Sequence, residues 1–283
     1  MTNIIFFGSS EYSVIILKKL LGIKDFSVLA VVSKIDKPAG RSQKITPNPV
    51  ALFAKQQNLK LLQIESFTPK LRSTIDDLKP DLGLCVAFGP PYFDQKMIDI
   101  PKYKIINIHP SPLPKYRGAT PGPWQIINGE TNSAITFFQI DALPDHGPII
   151  TQIPFEITPS ETSITFYQKA FSLAANNLES ILKSYILNPK LLFPQDHSQK
   201  SYFPKFNKDN AQINWSWNNN KIDNFVRALT PWPIAWTYTT NQQGQKLKMK
   251  IFSFNKEPVE VQIENKQKTF WPEISKYYSI DKS

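Results

Sequence analysis

Across its first two hundred residues the chain alternates short apolar runs with longer amphipathic stretches, and this alternation restricts the fold more than any other feature. Residues 4–7 lead to 14–21, residues 28–32 lead to 50–57, and further apolar runs occupy 82–87, 105–109 and 135–140. Short apolar runs bounded by turn residues fit strands, and strands that take turns with amphipathic helices fit a parallel sheet covered by those helices. Val14, Leu17, Leu20 and Leu21 recur at helical spacing and supply one such covering stripe. The expected class is α/β, with a Rossmann-like, mostly parallel sheet in a domain spanning residues 1–188.

In sheets of this kind, chemistry collects where strands end. Two apolar runs break into loops rich in Pro and Gly: Ile105-Ile106-Asn107-Ile108-His109-Pro110-Ser111-Pro112-Leu113-Pro114, and Ile140-Asp141-Ala142-Leu143-Pro144-Asp145-His146-Gly147. Side chains two apart on a strand share a face, so Asn107 and His109 can converge on one reacting atom. With Asp145 they offer an amide donor, an imidazole and a carboxylate, a set suited to acyl transfer. Alone, an Asn or His at a strand end is ordinarily a turn former or a satisfied polar group. The combination, in a chain with only three histidines, argues for catalysis. His146 competes, but it directly follows Asp145, and neighbours in a tight turn diverge. His197 lies in a polar stretch and is expected to be solvated.

A dinucleotide-binding reading has two footholds, Gly8 after the first strand and Asp36 after the second. The glycine pattern opposes it. Gly8-Ser9-Ser10-Glu11-Tyr12-Ser13 has one glycine where close approach of a pyrophosphate needs three, which argues against a nicotinamide dehydrogenase.

The single cysteine, Cys85, sits inside an apolar run and reads as core, so no disulfide forms within the chain. No apolar stretch approaches the roughly twenty residues of a membrane span, and no basic leader precedes the first strand. The expectation is a cytoplasmic, soluble monomer with no membrane partner. A net charge of +10 suggests an anionic partner such as nucleic acid. The excess is not a tail, since residues 1–205 carry 22 Lys and Arg against 16 acids and the remainder 11 against 7. Residues 33–49 form a long polar connection bearing Lys34, Lys37, Arg41 and Lys44, with Pro38, Gly40 and Pro47 opposing regular structure; charge content alone reads it as a solvated loop. Residues 189–204, polar and punctuated by proline after the amphipathic stretch 162–187, read as a linker to a second domain over 205–283. There Trp215, Trp217, Phe225, Trp232 and Trp236 read more readily as core than as a nucleic-acid surface, and 246–254 and 259–263 are strand-like.

Asn107, His109 and Asp145, with Ser111-Pro112-Leu113-Pro114 and Arg117-Gly118 between them, resemble the site of enzymes that transfer a formyl group from 10-formyltetrahydrofolate. Ile4-Ile5-Phe6-Phe7-Gly8-Ser9-Ser10 resembles the first strand and turn of the methionyl-tRNA formyltransferases, and Lys37-Pro38-Ala39-Gly40-Arg41 resembles the basic loop with which they grip initiator tRNA. Tyr202-Phe203-Pro204-Lys205, Ile213-Asn214-Trp215 and Arg227-Ala228-Leu229-Thr230-Pro231-Trp232-Pro233 continue the match. The resemblance implies catalysis by Asn107, His109 and Asp145. It places the folate against Val86, Ala87, Phe88 and Gly89 and against Ser111, Pro112, Leu113 and Pro114, and the tRNA against Lys37, Arg41 and Lys44. It also implies an OB-like β domain at the C-terminal end that contacts tRNA. Phe88 stands where that family often has Tyr, Pro90-Pro91 removes two N–H donors, and Leu143-Pro144 and His146 depart from the commonest wording around the aspartate. About fifty residues follow Pro233, too few for a comfortable five-stranded barrel, so a reduced one is expected.

Formyl transfer to an amine builds negative charge on the formyl oxygen, which calls for hydrogen-bond donors there. Asn107 can supply one and His109, if protonated, a stronger one, while Asp145 orients His109 and favours its cationic form or relays a proton through water. Neither a metal nor a covalent enzyme intermediate is required. Beside methionyl initiator tRNA, the same site could serve a small amine, such as an amino sugar nucleotide or purine precursor, or water, which would make the chain a formyltetrahydrofolate hydrolase. A non-catalytic RNA-binding protein is opposed by the intact trio.

Overall fold

The computed structural model describes residues 1–39 and 44–282. The chain forms two compact units: Met1–Arg117, Ala134–Phe155 and Gln168–Tyr202 make the first, and Gly118–Ser133, Glu156–Tyr167 and Phe203–Ser283 the second. In chain order the first half carries β1 (Thr2–Gly8), α1 (Glu11–Leu21), β2 (Phe26–Lys34), β3 (Lys37–Ala39), β4 (Lys44–Thr46), α2 (Pro49–Gln56), β5 (Leu61–Ile64), α3 (Pro69–Asp76), β6 (Leu82–Val86), α4 (Gln95–Ile98) and β7 (Ile105–His109). There follow α5 (Pro121–Ile127), β8 (Asn132–Gln139), β9 (Ile149–Glu156), α6 (Ser163–Leu187) and α7 (Asn219–Ala228). Last come β10 (Trp236–Asn241), β11 (Lys246–Asn255), β12 (Glu257–Ile263), β13 (Lys268–Phe270), α8 (Trp271–Ile274) and β14 (Tyr278–Asp281).

The first unit is built on a seven-stranded sheet in the order β5-β2-β1-β6-β7-β8-β9. The pairs β5·β2, β2·β1, β1·β6 and β6·β7 are parallel, and β7·β8 is antiparallel, so the sheet is mostly parallel as the alternation implies. Strand order reverses between β1 and β6, and the crevice outside the carboxyl ends of the strands at such a reversal is where these sheets bind ligands. Ile5, Phe7, Cys85 and Ile105 line one face and pack with Phe88, Phe93 and Met97. Phe7 meets Phe93 edge-on at 5.0 Å, a geometry the ring quadrupoles favour. Fully burying a side chain like Phe7 stabilises the fold by about 2–3 kcal/mol. β9 is an edge strand, a position that tolerates its Pro154.

The turn after β1 is closed from within. Ser10 caps α1 through a reciprocal bond set with Ser13, and the Ser13 hydroxyl donates to Val86 O at 2.6 Å. A Cβ on Gly8 would stand 2.7 Å from that of Ser13, so only glycine fits beneath this cap. Asp36 likewise is committed locally: it accepts from Gln63 Nε2 at 2.7 Å and from the Asn48 amide at 3.3 Å. Both footholds of the dinucleotide reading therefore serve the scaffold. The connection over 33–49 is less irregular than its composition suggests, because β3 and β4 pair antiparallel within it, Lys37 opposite Thr46. Gly40 and Arg41 lie outside the described residues, and Lys44 is described by its backbone.

Residues 193–202 run along the first unit by main-chain pairing. Ile149 and Phe193 exchange both backbone hydrogen bonds at 2.8 Å, and the Arg117 amide donates to Ser201 O at 2.9 Å. In the second unit, α7 buries Ile222, Phe225 and Val226 against α5 and β11. Its sheet has the order β13-β12-β11-β10-β14. Five strands fit after Pro233 because β13 and β14 are only 3 and 4 residues long. These two stand at the edges, unpaired with each other among the described residues, so the sheet is open. Phe225 and Trp236 are buried as expected of core, whereas Trp232 is exposed.

Candidate active site

β7 ends at the site. Asn107 pairs with Cys85 of β6 and Phe138 of β8, and His109 faces Thr136. Asn107 Oδ1 is buried with no hydrogen-bond partner among the described residues. Buried polar atoms almost always have partners, so this oxygen offers an acceptor to a donor from outside the protein. His109 is nearly fully buried, and its Nε2 lies 2.9 Å from Tyr116 O. A carbonyl only accepts, so Nε2 carries hydrogen there and Nδ1 is the nitrogen left for chemistry. That nitrogen faces Asp145 Oδ1 at 3.6 Å.

Asp145 belongs to the loop between β8 and β9 and has a positive φ of 50°. Two residues on, a Cβ on Gly147 would fall 1.9 Å from Gln139 O, so the loop presses backbone on backbone. The charge of Asp145 is felt around it. Burial, reinforced by Asp145, pushes the Cys85 thiol well above its usual range. Burial, then Tyr202 and then Asp145, raise the Tyr92 hydroxyl. Burial lowers Arg117 against the opposing pull of Asp145 and Asp141.

Ser111, Pro112, Leu113 and Pro114 follow β7 directly. Ser111 is fully buried and donates to Lys115 O at 2.7 Å, and Leu113 is buried too. Thr136 donates to Ser111 O at 2.6 Å, while Gln152 Nε2 donates to Leu113 O at 2.8 Å and to the Thr136 hydroxyl at 3.0 Å. This segment therefore presents backbone in a fixed shape. Val86, the last residue of β6, and Phe88 are buried while Ala87 and Gly89 are exposed, both with positive φ. Phe88 anchors the turn from beneath, with Lys34 Nζ 5.2 Å from its ring centre. Lys37 is exposed on β3.

Thr136, Gln152 and Gln195, polar residues around the trio, carry no local signal in the sequence, and Arg117 and His197 give no sign there that they meet. His197 is exposed but not merely solvated. Its ring stacks on His146 at 4.0 Å, and its Nδ1 accepts from Arg117 Nη2 at 2.8 Å. His146 in turn engages Asp141 at 2.5 Å. Arg117 lies 78 positions from Gln195 and 80 from His197, so only the folded chain brings them together.

Fold and strand-end chemistry together define an enzyme that transfers formyl groups: residues 2–182 match the family described as Formyl transferase, and 205–278 match Formyl transferase, C-terminal domain. The methionyl-tRNA formyltransferase of Acetivibrio thermocellus is 38% identical over 252 residues, covering 89% of this chain and 79% of that protein. That of Geobacter sulfurreducens is 34% identical over 260 residues, covering 92% and 81%. The chain belongs to the methionyl-tRNA formyltransferase family. Its fold is shared with WlaRD, a sugar 3N-formyltransferase crystallised in the presence of dTDP and 5-N-formyl-tetrahydrofolate; the TM-score is 0.62 at 21% identity, covering 94% of this chain and 99% of that one. No helix among the described residues is long and apolar enough to cross a membrane.

Proposed function

We propose that the chain transfers the formyl group of 10-formyltetrahydrofolate to the amino group of methionyl initiator tRNA, with Asn107, His109 and Asp145 as its catalytic residues. The observation that carries the site assignment is the buried, unpartnered amide oxygen of Asn107 beside the His109–Asp145 pair. The neutral amine attacks the formyl carbon, a C–N bond forms, and charge collects on the formyl oxygen. Donors aimed at that oxygen lower the barrier. The Asn107 amide nitrogen supplies one, and His109 supplies the other from Nδ1 when the ring carries hydrogen on both nitrogens, Nε2–H being held by Tyr116 O. Asp145 takes the proton released by the attacking nitrogen and passes it to the folate nitrogen as the old C–N bond breaks, directly or through water. This scheme calls for no metal.

The folate reads as seated against the exposed backbone at Ala87 and Gly89, with Val86 and Phe88 supporting them from within, and against the shaped backbone of Ser111, Pro112, Leu113 and Pro114. Lys37, Arg41 and Lys44 are assigned to the tRNA, where Arg can make paired bonds to phosphate and Lys acts as a point charge. The deciding experiment offers the purified chain 10-formyltetrahydrofolate with methionyl-tRNA, with an amino sugar nucleotide and with water alone. Formylation of methionyl-tRNA far above the other two supports the reading. A preference for the sugar amine, the acceptor class of the structural relative, overturns the acceptor assignment, and a preference for water makes the chain a hydrolase. A tRNA reaction that weakens as salt rises is the further mark of phosphate contacts.

A further inference from the structure

We infer that Gln195 is the positioning residue for Asp145, and so sets the geometry of the proton-handling edge of the site; this rests on the roles given to Asp145 and His109 above. Gln195 lies between the two matched regions, which end at 182 and begin at 205, in a stretch whose composition reads as a linker. Its side chain is nonetheless only 6% exposed. Nε2 donates to Asp145 O at 3.1 Å and to Gly147 O at 2.7 Å, so one amide grips the chain on both sides of His146. Oε1 accepts from Arg117 Nη2 at 2.5 Å.

Each of these contacts removes a freedom. A guanidinium only donates, so Arg117 dictates which end of the amide faces the loop, and the donor end is turned to Asp145 and Gly147. Asp145 holds a positive φ that residues other than glycine rarely adopt, and the bond to its carbonyl helps fix it. On the opposite side Gly147 presses against Gln139 O, so the loop is held between Gln195 and β8. The His146–His197 stack leans on the same Arg117. A catalytic group displaced by about 1 Å can lose roughly a hundredfold in rate, so a residue that fixes the Asp145 backbone acts on turnover without touching substrate.

The test compares Gln195→Glu and Gln195→Met with the wild type. Glu keeps the shape and an acceptor for Arg117 but loses the donor end, whereas Met keeps volume and adds no charge. Thermal melting first establishes which variants fold, and Met covers the case in which buried charge prevents folding. Steady-state rates are then taken with 10-formyltetrahydrofolate on methionyl-tRNA and, separately, on an amino sugar nucleotide. The expected result is a fall in kcat of about thirtyfold or more, with the KM for the folate donor within about twofold, because binding surfaces are untouched. A folded variant with kcat within about threefold of wild type, or one whose loss lies in the folate KM, overturns the inference. Activity confined to the amino sugar sinks the tRNA reading and leaves the Gln195 comparison valid on that acceptor. Activity with neither acceptor overturns both.

Discussion

Gly147→Ala tests how tightly the loop geometry governs the chemistry. The added methyl carbon would sit 1.9 Å from Gln139 O and 3.1 Å from Gln139 C, both backbone atoms of a paired strand. Non-bonded carbon and oxygen do not approach closer than about 3 Å, so the loop must retreat by about 1 Å. Gln195 ties Gly147 O to Asp145 O, so the retreat is passed to Asp145, whose carboxylate already lies 3.6 Å from His109 Nδ1. Overpacking of this kind costs about 1–3 kcal/mol, a loss that leaves a domain of this size folded at room temperature. A misplacement of about 1 Å predicts a fall of roughly a hundredfold in the formyl-transfer step. Single-turnover transfer to methionyl-tRNA, with urea unfolding on the same preparation, reads both quantities. A folded variant whose transfer rate stays within about twofold of wild type would refute the reasoning.

Asp145→Asn keeps the shape and removes the charge, so turnover is predicted to fall far more than folate affinity; equal losses in rate and in folate titration would make Asp145 a folate-positioning group instead. Thr136→Val strips a buried hydroxyl that serves Ser111 O and Gln152, leaving buried groups unpaired, and should cost about 2–3 kcal/mol in urea unfolding; a loss under about 0.5 kcal/mol would show that the hydroxyl does not pin the loop. Burial pushes the Tyr12 and Tyr185 hydroxyls up to about 12 from 10.0, so the folded chain holds protons that the unfolded chain releases near pH 10. Stability is thus intact below pH 10 and declines as pH climbs from 10 through 12; Tyr185→Phe should flatten that decline, and an unchanged pH slope would contradict it.

The central sheet is legible because its strands are apolar on both faces: residues 105–109 emerge as β7, and 14–21 fall within α1. β9 escapes notice because Pro154 interrupts a run that only an edge strand tolerates. The hairpin of β3 and β4 is hidden by Pro38 and a dense set of charges, and β13 and β14 are too short to show a period. Asn107 and His109 can be placed together from spacing alone, since a strand puts alternate residues on one face. The residues that hold the site in shape cannot. Gln195 reaches Asp145 across 50 positions and Thr136 reaches Ser111 across 25, through single hydrogen bonds that leave no periodic trace. For the same reason a polar stretch at 189–204 looks like a linker although Gln195 within it is buried. His197 looks merely solvated for want of any sign of Arg117 and His146 beside it.

In this reading the Asn107 side chain, whose buried oxygen has no partner among the described residues, donates through its amide nitrogen to the formyl oxygen, and Asn107→Leu puts that role to the test. The side chain is similar in size, and Oδ1 has no partner to lose among the described residues, so removing it should leave thermal stability unchanged or slightly raised. Loss of one donor at a developing oxyanion predicts a transfer rate lower by about a hundredfold or more. Both are read on one preparation, by thermal melting and by single-turnover formylation of methionyl-tRNA. An unaltered melting temperature with that loss of rate is the predicted result, and a folded Asn107→Leu enzyme that transfers formyl at nearly the wild-type rate would contradict the account.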